Sequence, residues 1–340
     1  MLRRVLIVRT DKVGDVVMIT PMIREIRKTF PDSFIAILTN ANTRDILLYN
    51  PHLNIILTDD LEKKSFWKVV KDINKYKFTD GLLVMPTERA AYQMFFAGIK
   101  NRIGVGRKLY EVLTFMKSVS RNKYIPLRHE AEYCMDLART IGVNSKNLNP
   151  EIFITEEEKV YGKSILLEKG AYETDHKIIV HTGSGNSSRN WSEEKYLELI
   201  NKILEEHELS KIILTAIELS AGFKEKLKDL NDRRIVFVDD DIKRLRDLIC
   251  IIANADLLIA SSTGPLHIAS ALDVRTIGLF CYRRMNCAAH WGALGDKAIN
   301  LEVSKEYCDS HCSFDKEACN FENGISIEEV ISSVKIKIKN

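Results

Sequence analysis

Short runs of aliphatic and β-branched residues alternate along the chain with longer stretches in which apolar positions recur every three to four residues. Arg4–Arg9 reads as a buried strand, and Met22–Phe30 as a helix with Pro21 near its start. A strand at Ser33–Leu38, a short helix at Asn42–Tyr49 and a strand at Asn54–Leu57 follow. A helix over Ser65–Tyr76 and a strand at Gly81–Met85 continue the series, and Glu130–Ile141 predicts a helix that Gly142 ends. The pattern weakens over Asn144–Glu158, where Asn, Lys, Pro and acidic residues predict a linker.

The alternation then restarts. Strands are expected at Lys177–His181, Lys211–Thr215, Ile235–Val238, Leu257–Ala260 and Thr276–Phe280. Between and after them lie helices at Glu193–Glu206, Ala221–Leu230, Ile242–Ala253, Leu266–Leu272 and Ile325–Ile338. Continuously apolar strands separated by helices belong to a parallel sheet covered on both faces. Two such series predict an α/β protein of two doubly wound, Rossmann-like domains in tandem, residues 1–155 and 156–340. A chain of 340 residues suits that division.

Composition narrows the function classes. Apolar residues make up 45% and charged residues 29%, the balance of a globular protein with ample core. The net charge of +3 predicts no nucleic-acid partner. Positive charge is nevertheless local: Arg24, Arg27 and Lys28 cluster early, and Arg102, Arg107, Lys108, Lys117, Arg121 and Lys123 follow. These residues form either a solvated basic face or a surface that meets anionic lipid or a phosphorylated acceptor. The opening Met1-Leu2-Arg3-Arg4 leads straight into a short apolar run, too brief for a secretory signal. No stretch approaches the roughly 20 apolar residues of a spanning helix. The expected location is cytoplasmic, with peripheral contact at the inner face of the membrane.

Chemistry is expected where loops leave the carboxyl ends of strands. After the first strand come Thr10-Asp11-Lys12-Val13-Gly14-Asp15. Gly14 permits a tight turn, and Asp15 is either the N-cap of the next helix or a base for an incoming hydroxyl. No GxGxxG follows this strand, which disfavours a nicotinamide cofactor. In the second half, Thr182-Gly183-Ser184 and Arg189 follow a strand; small residues, hydroxyls and a fixed cation suit a phosphate. Ser192 reads as the N-cap of the next helix. Ser262-Thr263-Gly264 precede another helix, whose N-terminal N–H groups suit a diphosphate. His267, one turn in, faces the same anion or packs in the core. Glu218 is a ribose-binding carboxylate or a surface charge.

Together these motifs resemble the family 9 glycosyltransferases, the ADP-heptose heptosyltransferases of lipopolysaccharide core assembly. The resemblance runs from Leu6-Ile7-Val8-Arg9-Thr10, Val13-Gly14-Asp15-Val16 and Thr20-Pro21 through Asn101-Arg102-Ile103-Gly104 and Arg128-His129. It continues in His181-Thr182-Gly183-Ser184, Arg189-Asn190-Trp191 and Thr263-Gly264-Pro265-Leu266-His267. It implies the GT-B architecture, two facing Rossmann-like domains with a central cleft, the first binding the acceptor and the second the donor nucleotide. It also implies Asp15 as general base, with Thr10, Lys12, Gly14 and Arg102 on the acceptor side. Thr182, Gly183, Ser184, Arg189, Glu218, Ser262, Thr263, Gly264 and His267 fall on the donor side.

The implied reaction is a single inverting displacement from a nucleoside-diphosphate sugar to a lipid-anchored glycan, with no metal and no cofactor. One departure stands out. Family members commonly carry Asp before the Ser/Thr-Gly of the last motif, where this chain has Ser262, and that bears on donor identity. Two other classes stay open: a nucleotide-sugar epimerase of GT-B fold, and a non-catalytic nucleotide-sugar-binding relative. Asp239-Asp240-Asp241 follows a strand but reads as a solvated turn rather than a metal motif. Of seven cysteines, Cys308, Cys312 and Cys319 cluster beside His311. A zinc site, a disulfide and free thiols are the alternatives, with free thiols the default in a reducing compartment.

Overall fold

A computed structural model describes residues 2–106, 108–184, 188–215, 219–312 and 321–335. The chain divides into two compact units, Met1–Phe153 and Ile154–Asn340. The first contains strands β1 (Arg4–Val8), β2 (Phe34–Thr39), β3 (Ile55–Thr58), β4 (Asp80–Leu83), β5 (Asn101–Val105) and β6 (Lys117–Val119). They form a parallel sheet in the order β3-β2-β1-β4-β5-β6. The second contains β7 (His176–His181), β8 (Ser210–Leu214), β9 (Ile235–Phe237), β10 (Leu257–Ser261), β11 (Arg275–Phe280) and β12 (Ala298–Glu302). Its order, β12-β11-β10-β7-β8-β9, is the same topology. Both are the doubly wound dinucleotide-fold arrangement, so the α/β expectation holds in each half.

The strands earn their place by burial on both faces. Val5, Leu6, Ile7 and Val8 of β1 are fully buried, as are Leu257 to Ala260 of β10. Each such side chain contributes roughly 1.5–3 kcal/mol over an exposed one. On β4, Gly81 lets the helix Glu88–Phe96 approach the sheet: a Cβ there would lie 2.4 Å from Met94 Cε. Ser192 caps the helix Glu193–Glu206 as expected, its hydroxyl accepting from Lys195 N.

Several elements differ from the apolar pattern. The linker expected over Asn144–Glu158 is cut short, because Thr155 and Glu158 form a reciprocal capping box that opens the helix Glu156–Glu168. The segment expected as a helix over 42–49 is a 3-10 turn, Ala41–Leu47, begun by the Asn40 side chain. The helix expected from Ile242 starts at Leu245, after a separate turn at Asp239–Asp241. Strands β5, β6 and β12 and the helices Glu88–Phe96 and Leu109–Leu113 are not announced by that pattern. Among the described residues no helix is long and apolar enough to cross a membrane.

Candidate active site

In each sheet the strand order reverses beside the first strand of the unit. There the crossovers leave toward opposite faces and a crevice opens at the carboxyl ends. In the first unit that point lies between β1 and β4, and in the second between β7 and β10. Most of the candidate residues fall at one or the other.

Beyond β1 the chain turns through Thr10 and Asp11 into the short helix Val13–Val17. Lys12 occupies the N-cap position, so the N-cap reading of Asp15 is corrected: Asp15 sits inside the first turn, where the helix dipole favours its charge. Lys12 is exposed, while Thr10, Gly14 and Asp15 are half-buried. Behind the loop lies Arg9, buried at the end of β1. Its guanidinium donates from Nε to Asp11 Oδ1 at 2.8 Å, from one terminal nitrogen to Glu130 Oε1 at 2.9 Å, and from the other to Asp15 Oδ1. Glu130, buried at the start of the helix Glu130–Arg139, also accepts from Arg121 at 3.3 Å. Three carboxylates thus share two arginines.

Charge follows from that crowding. Burial pushes Asp11 up to about 6, with the Asp15 charge adding to the rise and Arg9 opposing it. Burial acts against the Arg9 charge, but the surrounding acidic groups win and hold it well above the ordinary arginine value. Cys134, enclosed beside Arg9, is pushed far up by desolvation and stays a thiol. The arrangement presents two partly open carboxylates, Asp11 and Asp15, on one buried cation.

Arg102 is differently employed. It is buried, donates to the carbonyls of Ile99 and Thr114, and lies over the Phe95 ring at 5.2 Å. Its side chain secures the segment after β5.

In the second unit, Thr182, Gly183 and Ser184 leave the end of β7, and Ser262 and Thr263 leave the adjacent end of β10. Asn190 ties the two together. Its Nδ2 donates to Thr182 O, while its Oδ1 accepts from Ser261 and, at 2.8 Å, from Tyr196 Oη. Arg189 is buried in the same loop. Thr263 is the N-cap residue of the helix Gly264–Ala271 and makes no side-chain cap bond; its buried Oγ1 has no hydrogen-bond partner among the described residues. Ser188 Oγ stands likewise. A buried hydroxyl without a partner costs about 1–3 kcal/mol, which an anionic ligand would recover. Gly264 and Ser262 are half-buried at the helix start. His267 is buried within the helix, its ring 6.2 Å from that of Trp291. His181 bonds Thr215 Oγ1 at 2.9 Å and is lowered by burial to about 4, so it is a neutral imidazole at pH 7.

Glu218 lies outside the described residues, as do 185–187 and Cys319. Cys308 is a free thiol, and Arg283 Nε donates to Cys312 Sγ at 2.8 Å. Burial, together with Cys312 and Cys281, pushes Cys308 up to about 12. Among the described residues no three His, Cys, Asp or Glu side chains gather to hold a metal ion.

The residues that sequence reasoning did not single out are the positioning ones. Arg9 carried a signal, a lone cation closing an apolar strand, and Asn190 lay in a quoted motif without a role. Glu130 and Arg121 carried none, because their partner is more than a hundred residues away for one and reached only through it for the other.

Comparisons with known proteins bear on the family and the fold. A Haemophilus influenzae protein described no further than a provisional glycosyltransferase is 27% identical over all of this chain and 98% of its own length. The lipopolysaccharide core heptosyltransferase OpsX of the same species is 24% identical, over 97% of this chain and 95% of its own. The crystal structure of a family 9 glycosyl transferase from Veillonella parvula superposes with a TM-score of 0.82 at 17% identity, covering 98% of this chain and 96% of that one. That likeness fixes the fold as GT-B. The model of glycosyltransferase family 9 (heptosyltransferase) matches residues 66–320, three quarters of the sequence, and the chain therefore belongs to that family of glycosyl-transfer enzymes.

Proposed function

We propose that the chain is an inverting, metal-independent transferase that moves heptose from a nucleoside-diphosphate sugar, ADP-heptose, to a lipopolysaccharide-core or other lipid-linked acceptor. The observation that carries the reading is Asp15, a partly open carboxylate held on buried Arg9 at the crevice end of β1. Asp15 takes the proton of the acceptor hydroxyl as that oxygen attacks the anomeric carbon. The bond from that carbon to the diphosphate breaks on the opposite face, and the nucleoside diphosphate leaves with the electron pair. Thr263, Ser184, Arg189 and the N–H groups opening the helix Gly264–Ala271 meet its charge.

The relatives named as heptosyltransferases support the sugar, and the lipopolysaccharide in their names supports the acceptor. Ser262, where a carboxylate is common, leaves the nucleotide to be tested directly. Release of ADP from ADP-heptose should depend on a core acceptor and persist in EDTA. Asp15→Ala should keep the donor-induced rise in melting temperature while losing about 10²–10⁴-fold in turnover. Full turnover by that variant sinks the mechanism; stabilisation by UDP or GDP but not ADP sinks the donor.

A further inference from the structure

The helix Leu109–Leu113 is turned inside out. Leu109, Val112 and Leu113, spaced to share one helical face, are 74%, 63% and 53% exposed. Glu111, on the other side, is 2% exposed, with its carboxyl group against Gly104 and its pKa raised by burial. Phe115 follows at 77% exposure. An amphipathic helix in water buries its apolar face, and this one presents it.

The exposed apolar surface extends beyond the helix. The Phe115 ring lies 6.4 Å from that of Phe95, Phe95 lies 5.4 Å from Phe96, and Phe96 lies 5.3 Å from Trp67, which is 62% exposed. A chain of aromatic rings therefore joins two further helices to the same apolar face. Lysines border it: Lys68 follows Trp67, Lys108 precedes Leu109, and Lys117 lies two residues past Phe115. Across residues 61–125, nine described lysines are exposed against two exposed carboxylates, Glu62 and Glu88. Isolated exposed apolar residues need no explanation, but a contiguous aromatic and aliphatic patch rimmed by one sign of charge does.

We propose that this face docks the protein on an anionic phospholipid bilayer, with Trp67, Phe96, Leu109, Val112, Leu113 and Phe115 entering the headgroup boundary and the lysines meeting lipid phosphates. Both halves of the pattern fit an interfacial surface: an apolar face that inserts shallowly and cations worth about fivefold each in partition at a negative leaflet. The patch runs along the flank of the sheet: the helix starts at the carboxyl edge, where Tyr110 Oη donates to Pro86 O beyond β4, and ends toward the other edge, where Thr114 O accepts from Arg102 early in β5. The inference deepens the transferase reading and rests on it for the purpose of docking, while the surface itself is testable without any glycosyl chemistry.

The test uses the full chain and vesicles of phosphatidylglycerol with phosphatidylethanolamine, free of acceptor. Co-sedimentation should exceed that with phosphatidylcholine vesicles at least tenfold and fall with salt. Lipids brominated on the acyl chain should quench Trp67 fluorescence, a change absent in Trp67→Phe. The double variants L113S/F115S and K108E/K117E should each lower vesicle binding tenfold or more while retaining wild-type turnover on a soluble, delipidated acceptor. Equal vesicle binding by wild type and both variants overturns the proposal. So does a lipid-free wild-type dimer that L113S/F115S splits without any vesicle binding, which would assign the face to a second copy of the chain. Asp15→Ala should bind vesicles as wild type does, so loss of transfer and loss of docking are read separately.

Discussion

Arg9 donates to Asp15 from inside the β1 end of the first sheet, so the proposed base is oriented by a cation that solvent scarcely reaches. A planar guanidinium serves three carboxylates from three separate nitrogens held in a fixed fork, whereas an ammonium donates from a single nitrogen at the end of a flexible stem. Arg9→Lys should keep the charge and lose that fork. The expected result is a fall of about 10–100-fold in kcat with donor KM little changed, because a base displaced by a fraction of an ångström costs the chemical step rather than binding. Arg9→Met should destabilise by about 3–5 kcal/mol, because it takes the cation from Asp11 and Asp15 and leaves Glu130 on Arg121 alone. Steady-state kinetics and urea melts of the two variants separate positioning from stability; unchanged kcat in Arg9→Lys refutes the orienting role.

Asp11 gives the site a pH signature. Its folded pKa is about 6 against an ordinary value of 3.8, so between those values the folded chain holds a proton that the unfolded chain has released. Stability on this account falls as pH rises from about 4 to about 6, and the full cost persists above. Asp11→Asn should remove that slope, since an amide still accepts from Arg9 without carrying charge. At pH 7 it should be more stable than wild type by roughly 1–3 kcal/mol, and the difference should vanish near pH 4. Urea unfolding at the two pH values measures both; a constant difference would show that Asp11 ionises normally.

Much of the fold was legible because buried parallel strands are continuously apolar, as in Val5–Val8 and Leu257–Ala260. The strand β5 was hidden by its own chemistry. Arg102 and Gly104 interrupt it, and each has a local reason: Arg102 donates to the carbonyls of Ile99 and Thr114, and a side chain at Gly104 would meet Glu111. The helix at Glu156–Glu168 was announced by Thr155 and Glu158, but its polar first turn resembled a linker. At the site, the loop residues could be read from their place after strands. Their supports could not, since Glu130 reaches Arg9 across 121 residues and Asn190 joins two loops only after β7 and β10 pair.

Asn190 holds the phosphate-side loop in shape through Thr182, Ser261 and Tyr196. Tyr196 is fully buried, its hydroxyl pushed up to about 12 by desolvation, and removal of its acceptor is costly. Asn190→Ala should lower stability by about 1–3 kcal/mol and raise donor KM by roughly 5–30-fold, with a smaller effect on kcat. Calorimetric titration with ADP checks the affinity independently of transfer. Wild-type affinity in this variant would mean that the loop is held by other contacts.

Two glycines in the second unit offer opposite outcomes from the same substitution. Gly162 lies where the helix Glu156–Glu168 crosses the helix Leu245–Ile252, and a Cβ there would stand 2.1 Å from the carbonyl oxygen of Cys250. Backbone cannot yield as a side-chain tip can, and the crossing is pinned nearby by Arg246 on Glu158 at 2.7 Å and Asn254 on Lys159 O at 3.0 Å. Gly162→Ala should therefore destabilise by about 1–3 kcal/mol through enforced separation of the two helices. Gly222, inside the exposed helix Ala221–Asp229, meets nothing within 4 Å of a built Cβ. There the methyl group only restricts the unfolded chain and favours the helix, so Gly222→Ala should stabilise by about 0.4–1 kcal/mol. Thermal melts of the pair hold composition constant and isolate contact from propensity. A destabilising Gly222→Ala would point to a close neighbour at that helix start, and a neutral Gly162→Ala to a helix crossing that yields without cost.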